Sequence, residues 1–210
     1  MKPMKLGHIN PVEFTVDRWI CADEFVRPGS PELLAVLDLW ADRFDGDVRR
    51  NGARALLLCA SEVVAGSLAA DWLRGAALRD HDASATSWRF GQDGTVAGFG
   101  LRSDQCARVL TSEGDSRDLL FVDLAAVLQW GSDRMLAGHL LPMMRALQAV
   151  PGLSEPNLLV AVVSGVQAGF AEAGRRLGVD PQRVSIAAKQ LLAFGGPVLR
   201  AELRRGRTRR

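Results

Sequence analysis

The sequence predicts an α+β, mainly α fold: a helical bundle packed on a small antiparallel hairpin sheet. Three stretches predict it. Between Ser132 and Gly178, Met135, Leu136, His139, Leu140, Met143, Met144 and Leu147 recur at the spacing that lines one helix face, and a second, more apolar helix follows. Ala53 to Arg79 carries a long helical pattern of its own. Thr86–Phe90 and Thr95–Leu101 instead alternate with period 2 around Gly91-Gln92-Asp93-Gly94, the signature of a hairpin.

Residues 1–29 read as a lead-in punctuated by Pro3, Pro11 and Pro28, with a short element at Phe14–Phe25, and pack through Trp19, Ile20 and Phe25. Residues 30–199 read as a single domain. Ser30-Pro31-Glu32 opens its first helix: a capping hydroxyl, a proline at the first helical position and an acid in the first turn. Leu33, Leu34, Leu37, Trp40 and Phe44 share a face, and Asp45-Gly46-Asp47 ends the helix. The pattern from Ala53 to Arg79 buries Leu56, Cys59, Val63, Leu68, Trp72, Leu73 and Ala76, with Gly66 and Gly75 allowing a bend or a close neighbour. His81 to Ser84 is a polar loop before the hairpin. In the hairpin, Gly98 and Gly100 permit approach by another backbone or a ligand.

A short helix is expected over Gln105–Leu110 and a third strand over Leu119–Val122, after which Asp123 caps a helix ending near Gly131. Ser132 is the expected cap of the next helix. Its interior Pro142 removes a hydrogen bond at a cost of about 3 kcal/mol and predicts a kink. Asn157–Leu177 is a core helix with Gly178 as its left-handed stop. Asp180-Pro181 opens a last helix through Ala193, and Gly195-Gly196-Pro197 stops it. No internal repeat stands out. Residues 200–210 carry six arginines, Arg200, Arg204, Arg205, Arg207, Arg209 and Arg210, against Glu202 alone, and read as a basic, disordered tail.

Composition narrows the function classes. Hydrophobic residues at 48% and charged ones at 24% suit a globular core, and a net charge of +2 argues against a general surface for nucleic acid. Cys21, Cys59 and Cys106 are odd in number and far apart, so neither a disulfide framework nor a zinc or iron–sulfur motif is expected. Met1 to Asn10 has no apolar signal core, and the run Ala55–Ala70, broken by Glu62, is shorter than a span of about 20 residues. A soluble, cytoplasmic protein with no transmembrane segment is the expectation.

Candidate site residues are scattered. His8, His81 and His139 stand alone, which excludes a legible metal site. His139 on an apolar face reads first as a hydrogen-bonded core or interface histidine, and second as a ligand contact. Glu62, among apolar neighbours, is either a solvated or paired acid or a desolvated carboxylate able to act as acid or base. Ser164 and Gln167, one turn apart in an apolar helix, bond either to neighbouring helices or to a pocket ligand. Arg89 and Trp130 complete the candidate ligand contacts. There is no GxSxG, Ser164-Gly165 stands mid-helix, and Gly91–Gly100 lacks a phosphate-loop lysine.

Two stretches together carry a family resemblance. Ser67-Leu68-Ala69-Ala70, Ala76-Ala77-Leu78 and the hairpin with Asp93-Gly94 form the first; Leu140-Leu141-Pro142-Met143-Met144-Arg145-Ala146-Leu147, a loop and Leu158-Leu159 form the second. Over about residues 50–178 this resembles the ferric-siderophore reductase (FhuF-like) family, related to the C-terminal region of aerobactin-type siderophore synthetases. The family's Trp-x-Asn falls here near Val160 and Val162. Its cysteine-rich segment for a [2Fe–2S] cluster has no counterpart, since no cysteine follows Cys106. A thiolate-bound cluster takes four ligands. The resemblance therefore implies a shortened, cluster-free form without a cofactor, binding a siderophore or similar small metabolite between the sheet and the central helices. Two other readings stand beside it. One is a cofactor-free biosynthetic enzyme working through His139 or Glu62; the other is a non-catalytic interaction subunit, for instance a homodimer.

Overall fold

The structure, a computed structural model, describes residues 18–41, 48–75, 77–109, 118–121, 123–150, 153–197 and 199. The chain enters through strand β1 (Ile20–Cys21) and a single helical turn, α1 (Ala22–Phe25), then forms helix α2 (Pro31–Ala41). Ser30 caps α2 as its sequence implies, its hydroxyl accepting the Leu33 N–H at 3.3 Å. Phe44, the turn at 45–47 and the arginine tail lie outside the described residues.

Helix α3 (Val48–Leu73) begins earlier than the periodicity suggests and also ends earlier. Gly75 takes a left-handed φ of 70°, and the chain leaves as strand β2 (Leu78–Arg79), where helix was expected. The hairpin is as predicted: β3 (Thr86–Phe90) pairs antiparallel with β4 (Val96–Leu101), and β1 adds to the other edge of β3. Trp40 of α2 reaches the hairpin turn and donates its indole N–H to the Gly94 carbonyl at 2.8 Å.

A second sheet was not expected. The segment read as a helix at 105–110 is strand β5 (Cys106–Val109), antiparallel to β2 and parallel to β6 (Leu119–Phe121). Four residues carry only two inward positions, Ala107 and Val109, too few for a visible alternation.

Helix α4 (Leu124–Ser132) is capped by Asp123, whose carboxylate accepts the Ala126 N–H at 2.8 Å. It does not stop at Gly131. It runs on through a π-helical stretch, Asp133–Leu140, into α5 (Leu141–Leu147). Ser132 is therefore no cap; its buried hydroxyl donates to the Leu191 carbonyl. Ahead of Pro142 the ladder has already widened, with Leu141 N–H bonding to the carbonyl of Leu136. The wide turn thus ends directly before the proline at which a kink is expected.

Helix α6 (Glu155–Leu177) ends at Gly178 in the left-handed conformation (φ 66°), as predicted. Helix α7 (Pro181–Phe194) is capped by Asp180 through the Gln182 and Arg183 N–H groups. The helix ends at Phe194 with Gly195 as its C-cap, where Gly195-Gly196-Pro197 is expected to stop it; Gly195 is right-handed, and helical residues reappear at 196 and 197. A Cβ at Gly195 would meet Leu136 Cδ1 at 2.1 Å, so close packing is what requires glycine there.

Helices α3 and α6 run side by side in the same direction at the centre of the core. A Cβ at Gly165 would lie 2.5 Å from the Leu58 carbonyl oxygen, and one at Gly169 would lie 2.3 Å from that of Glu62. Both helices carry Ser-x-Val-x-Ala-Gly, at 61–66 and at 164–169, a short internal echo whose terminal glycines face each other. Each helix is long and apolar enough to cross a membrane, and about half of each is buried within the fold. The main core gathers around this pair, with Trp88, Phe90, Phe25 and the α5 methionines. A smaller core (Leu78, Ala107, Val127, Leu128) lies under the second sheet.

Candidate functional site

The most densely built polar region lies where the loop after β2 meets the π-helical turn. Asp71, Asp80, His81 and His139 are all buried there. Each buried charge has a partner, as the cost of desolvation requires. Asp71 takes the Arg79 guanidinium through two bonds of 2.9 and 2.8 Å. Asp80 takes Arg134 from the π turn at 2.8 and 2.6 Å, and Arg134 also reaches Asp82 at 3.3 Å. Burial alone would raise the Asp80 pKa, but the bonds from Arg134 and the Asp82 N–H together hold it below the usual carboxylate value. Gly138 belongs to the same packing, because a Cβ there would displace the Asp82 carboxylate.

His139 projects from the π turn into the hairpin. Trp88 can only donate, so its contact at 3.2 Å makes Nε2 of His139 the acceptor. Nδ1 then carries the proton and donates to the His81 carbonyl at 3.1 Å. Burial pushes the His139 pKa down to about 4, so the ring is neutral at pH 7.

His81 is fixed in the same way. Its Nδ1 donates to the Arg79 carbonyl at 2.8 Å, leaving the Nε2 lone pair for the hydroxyl of Ser67 at 3.0 Å. Burial lowers its pKa as well. The rings of His81 and His139 both pack on Phe99, at 6.3 and 6.0 Å.

Two concavities lie elsewhere. A cavity of about 470 Å³ between β5, α4 and the end of α3 is lined mainly by Trp72, Ala77, Leu78, Ala107, Val109, Leu124, Val127 and Leu128. A shallower groove of about 280 Å³ runs between α3 and α6, past Arg54, Leu58, Val160 and Ser164.

The predicted site residues do not converge. His139 is sealed in the core with both ring nitrogens bonded. Glu62 is half-buried on α3, its backbone against Gly165 and Gly169, and no described bond joins it to His139. Arg89 lies on the outer face of the hairpin, its guanidinium 5.4 Å from the centre of the Trp19 ring. That indole also covers Gly98 and Gly100, so the close approach those glycines permit is used by Trp19 of the same chain. Trp130 packs on Phe121 under the second sheet. Ser164 is half-buried in the shallow groove, and Gln167 is exposed, so they are not a buried polar pair. Among the described residues, no three His, Cys, Asp or Glu side chains cluster as metal ligands.

Ser67, Asp71, Asp80 and Arg134 were missed as site residues. The available signal was the run Arg79-Asp80-His81-Asp82 directly after a long apolar helix. Compared with family models, curated proteins and solved structures, the chain matches none.

Proposed function

We propose that this chain is a cluster-free, FhuF-like protein that binds a siderophore or similar small metabolite, in a soluble, cytoplasmic setting. The cavity of about 470 Å³ carries the reading, since it falls within the range of about 300–1,000 Å³ typical of ligand pockets and its mainly apolar side chains are joined by Arg108. The cavity lies under the second sheet, away from the hairpin face that the resemblance pointed to. The ligand's apolar body would rest against Trp72, Val109 and Val127. Two features support the scaffold: the hairpin of the first stretch bonds through Trp88 to His139, the residue directly before the second stretch, and the long apolar helices pack closely on each other at Gly165 and Gly169. The test is a melting-temperature panel of ferric siderophores of several classes and apolar small acids. A ligand at 100 times its Kd stabilises the folded state by about 2.7 kcal/mol. A panel without any shift removes the reading.

A second reading is an interaction subunit, and the α3–α6 groove favours it. Leu58 and Val160 flank that groove with 38% and 59% exposure, apolar side chains that a partner or a second copy would cover. Sedimentation of the chain and of Val160→Glu separates the readings. Association lost in the variant supports a subunit, and a monomer at all concentrations excludes the homodimer.

A further inference from the structure

Serines inside helices usually satisfy their hydroxyls on the preceding turn, and Ser61 does so here, donating to the Leu57 carbonyl at 2.7 Å. Ser67, six residues along the same helix, turns instead to the imidazole of His81 at 3.0 Å. The carbonyl of Arg79 accepts the other ring proton at 2.8 Å, which fixes the tautomer with its lone pair on the serine. A hydroxyl on a base, with the base oriented by a third group, is the arrangement that activates a nucleophile. We propose that Ser67 is a nucleophile and His81 its general base, forming an acyl-transfer site for small carboxylic esters.

The two residues differ in exposure. Ser67 is half-buried, whereas His81 is fully enclosed behind it and packed on Phe99. Asp71, one turn beyond Ser67 on α3, favours the protonated imidazole, and the Arg79 guanidinium that it holds through two bonds opposes it to a lesser degree. In the first step the Ser67 oxygen forms a bond to the ester carbonyl carbon while its proton passes to Nε2 of His81. The bond from carbon to the leaving oxygen breaks, and His81 returns the proton to that oxygen as the alcohol departs. Water then gives a proton to the same nitrogen and adds to the acyl carbon; the bond from that carbon to the Ser67 oxygen breaks, His81 returns the proton to Ser67, and the acid is released. This inference stands apart from the cavity under the second sheet.

The test is a fluorophosphonate probe on the full chain, read by intact mass and peptide mapping, with p-nitrophenyl acetate turnover beside it. The expected result is one adduct, on Ser67, absent in Ser67→Ala, with adduct formation at least tenfold slower in His81→Gln. Because His81→Gln opens a buried site, Ser67→Cys serves as the second variant. Its thiol, beside the imidazole, is expected to react with iodoacetamide at least tenfold faster at pH 7 than the native cysteines. An unlabelled Ser67 in the folded chain, or a Ser67→Cys thiol no faster than Cys106, would overturn the proposal.

Discussion

The indole N–H of Trp88 donates to Nε2 of His139 at 3.2 Å, with both residues fully buried and more than fifty positions apart in sequence. That one bond ties the hairpin to the π-helical turn. It also fixes the proton of His139 on Nδ1, where it meets the carbonyl of His81. Hairpin, polar loop and central helix are therefore held by one set of neutral imidazoles.

Acid should loosen this junction. His139 has a folded-state pKa near 4, below the value of about 6.5 it takes when unfolded. A lowered histidine pKa means that the unfolded chain binds the proton first, so the full contribution is present above about pH 6.5 and declines as pH falls toward 4. His139 alone accounts for about 3 kcal/mol over that window. His81, shifted in the same direction, adds to it. Urea denaturation between pH 7 and 4.5 should show this loss, and His139→Gln should flatten the slope.

Removing Arg134 should be costly. It leaves the buried Asp80 carboxylate without its bidentate partner, and breaking a buried pair from one side typically costs about 3–5 kcal/mol. Arg134 is itself a third exposed, which places Arg134→Ala toward the lower end of that range. Asp80→Asn should cost less, since it removes the charge and keeps the shape. Paired chemical melts of the two variants check the order.

Gly169→Ala tests the helix pair. The added carbon would sit 2.3 Å from the Glu62 carbonyl oxygen, a backbone atom that moves only with its helix. Overpacking of this kind costs about 1–3 kcal/mol. Gly178→Ala strains a left-handed residue with open space around it and should cost about 1 kcal/mol. Thermal melts should rank Gly169→Ala as the worse of the two.

Much of the fold is legible in the residues. The caps at Ser30, Asp123 and Asp180 and the stop at Gly178 are local chemistry, and each is where its sequence places it. The errors arise where tertiary contacts override local signals. Ser132 looks like a cap because the partner of its hydroxyl, the Leu191 carbonyl, lies on a different helix. Strand β5 is too short to show a period and depends on pairing with β2 and β6. The candidate site was harder to read. Its groups lie on α3, the loop after β2 and the π turn, and their convergence is a property of the topology. His139 was legible as a core histidine, but its partners Trp88 and His81 were not.

The most direct test of the binding assignment is a calorimetric titration of the best compound from the melting panel into the native chain and into Ala107→Phe. That substitution puts a ring into the cavity under the second sheet. Saturable one-to-one binding to the native chain is expected, weakened at least tenfold in a variant that still melts cooperatively. Equal affinity for both proteins would rule out the cavity under the second sheet as the binding site.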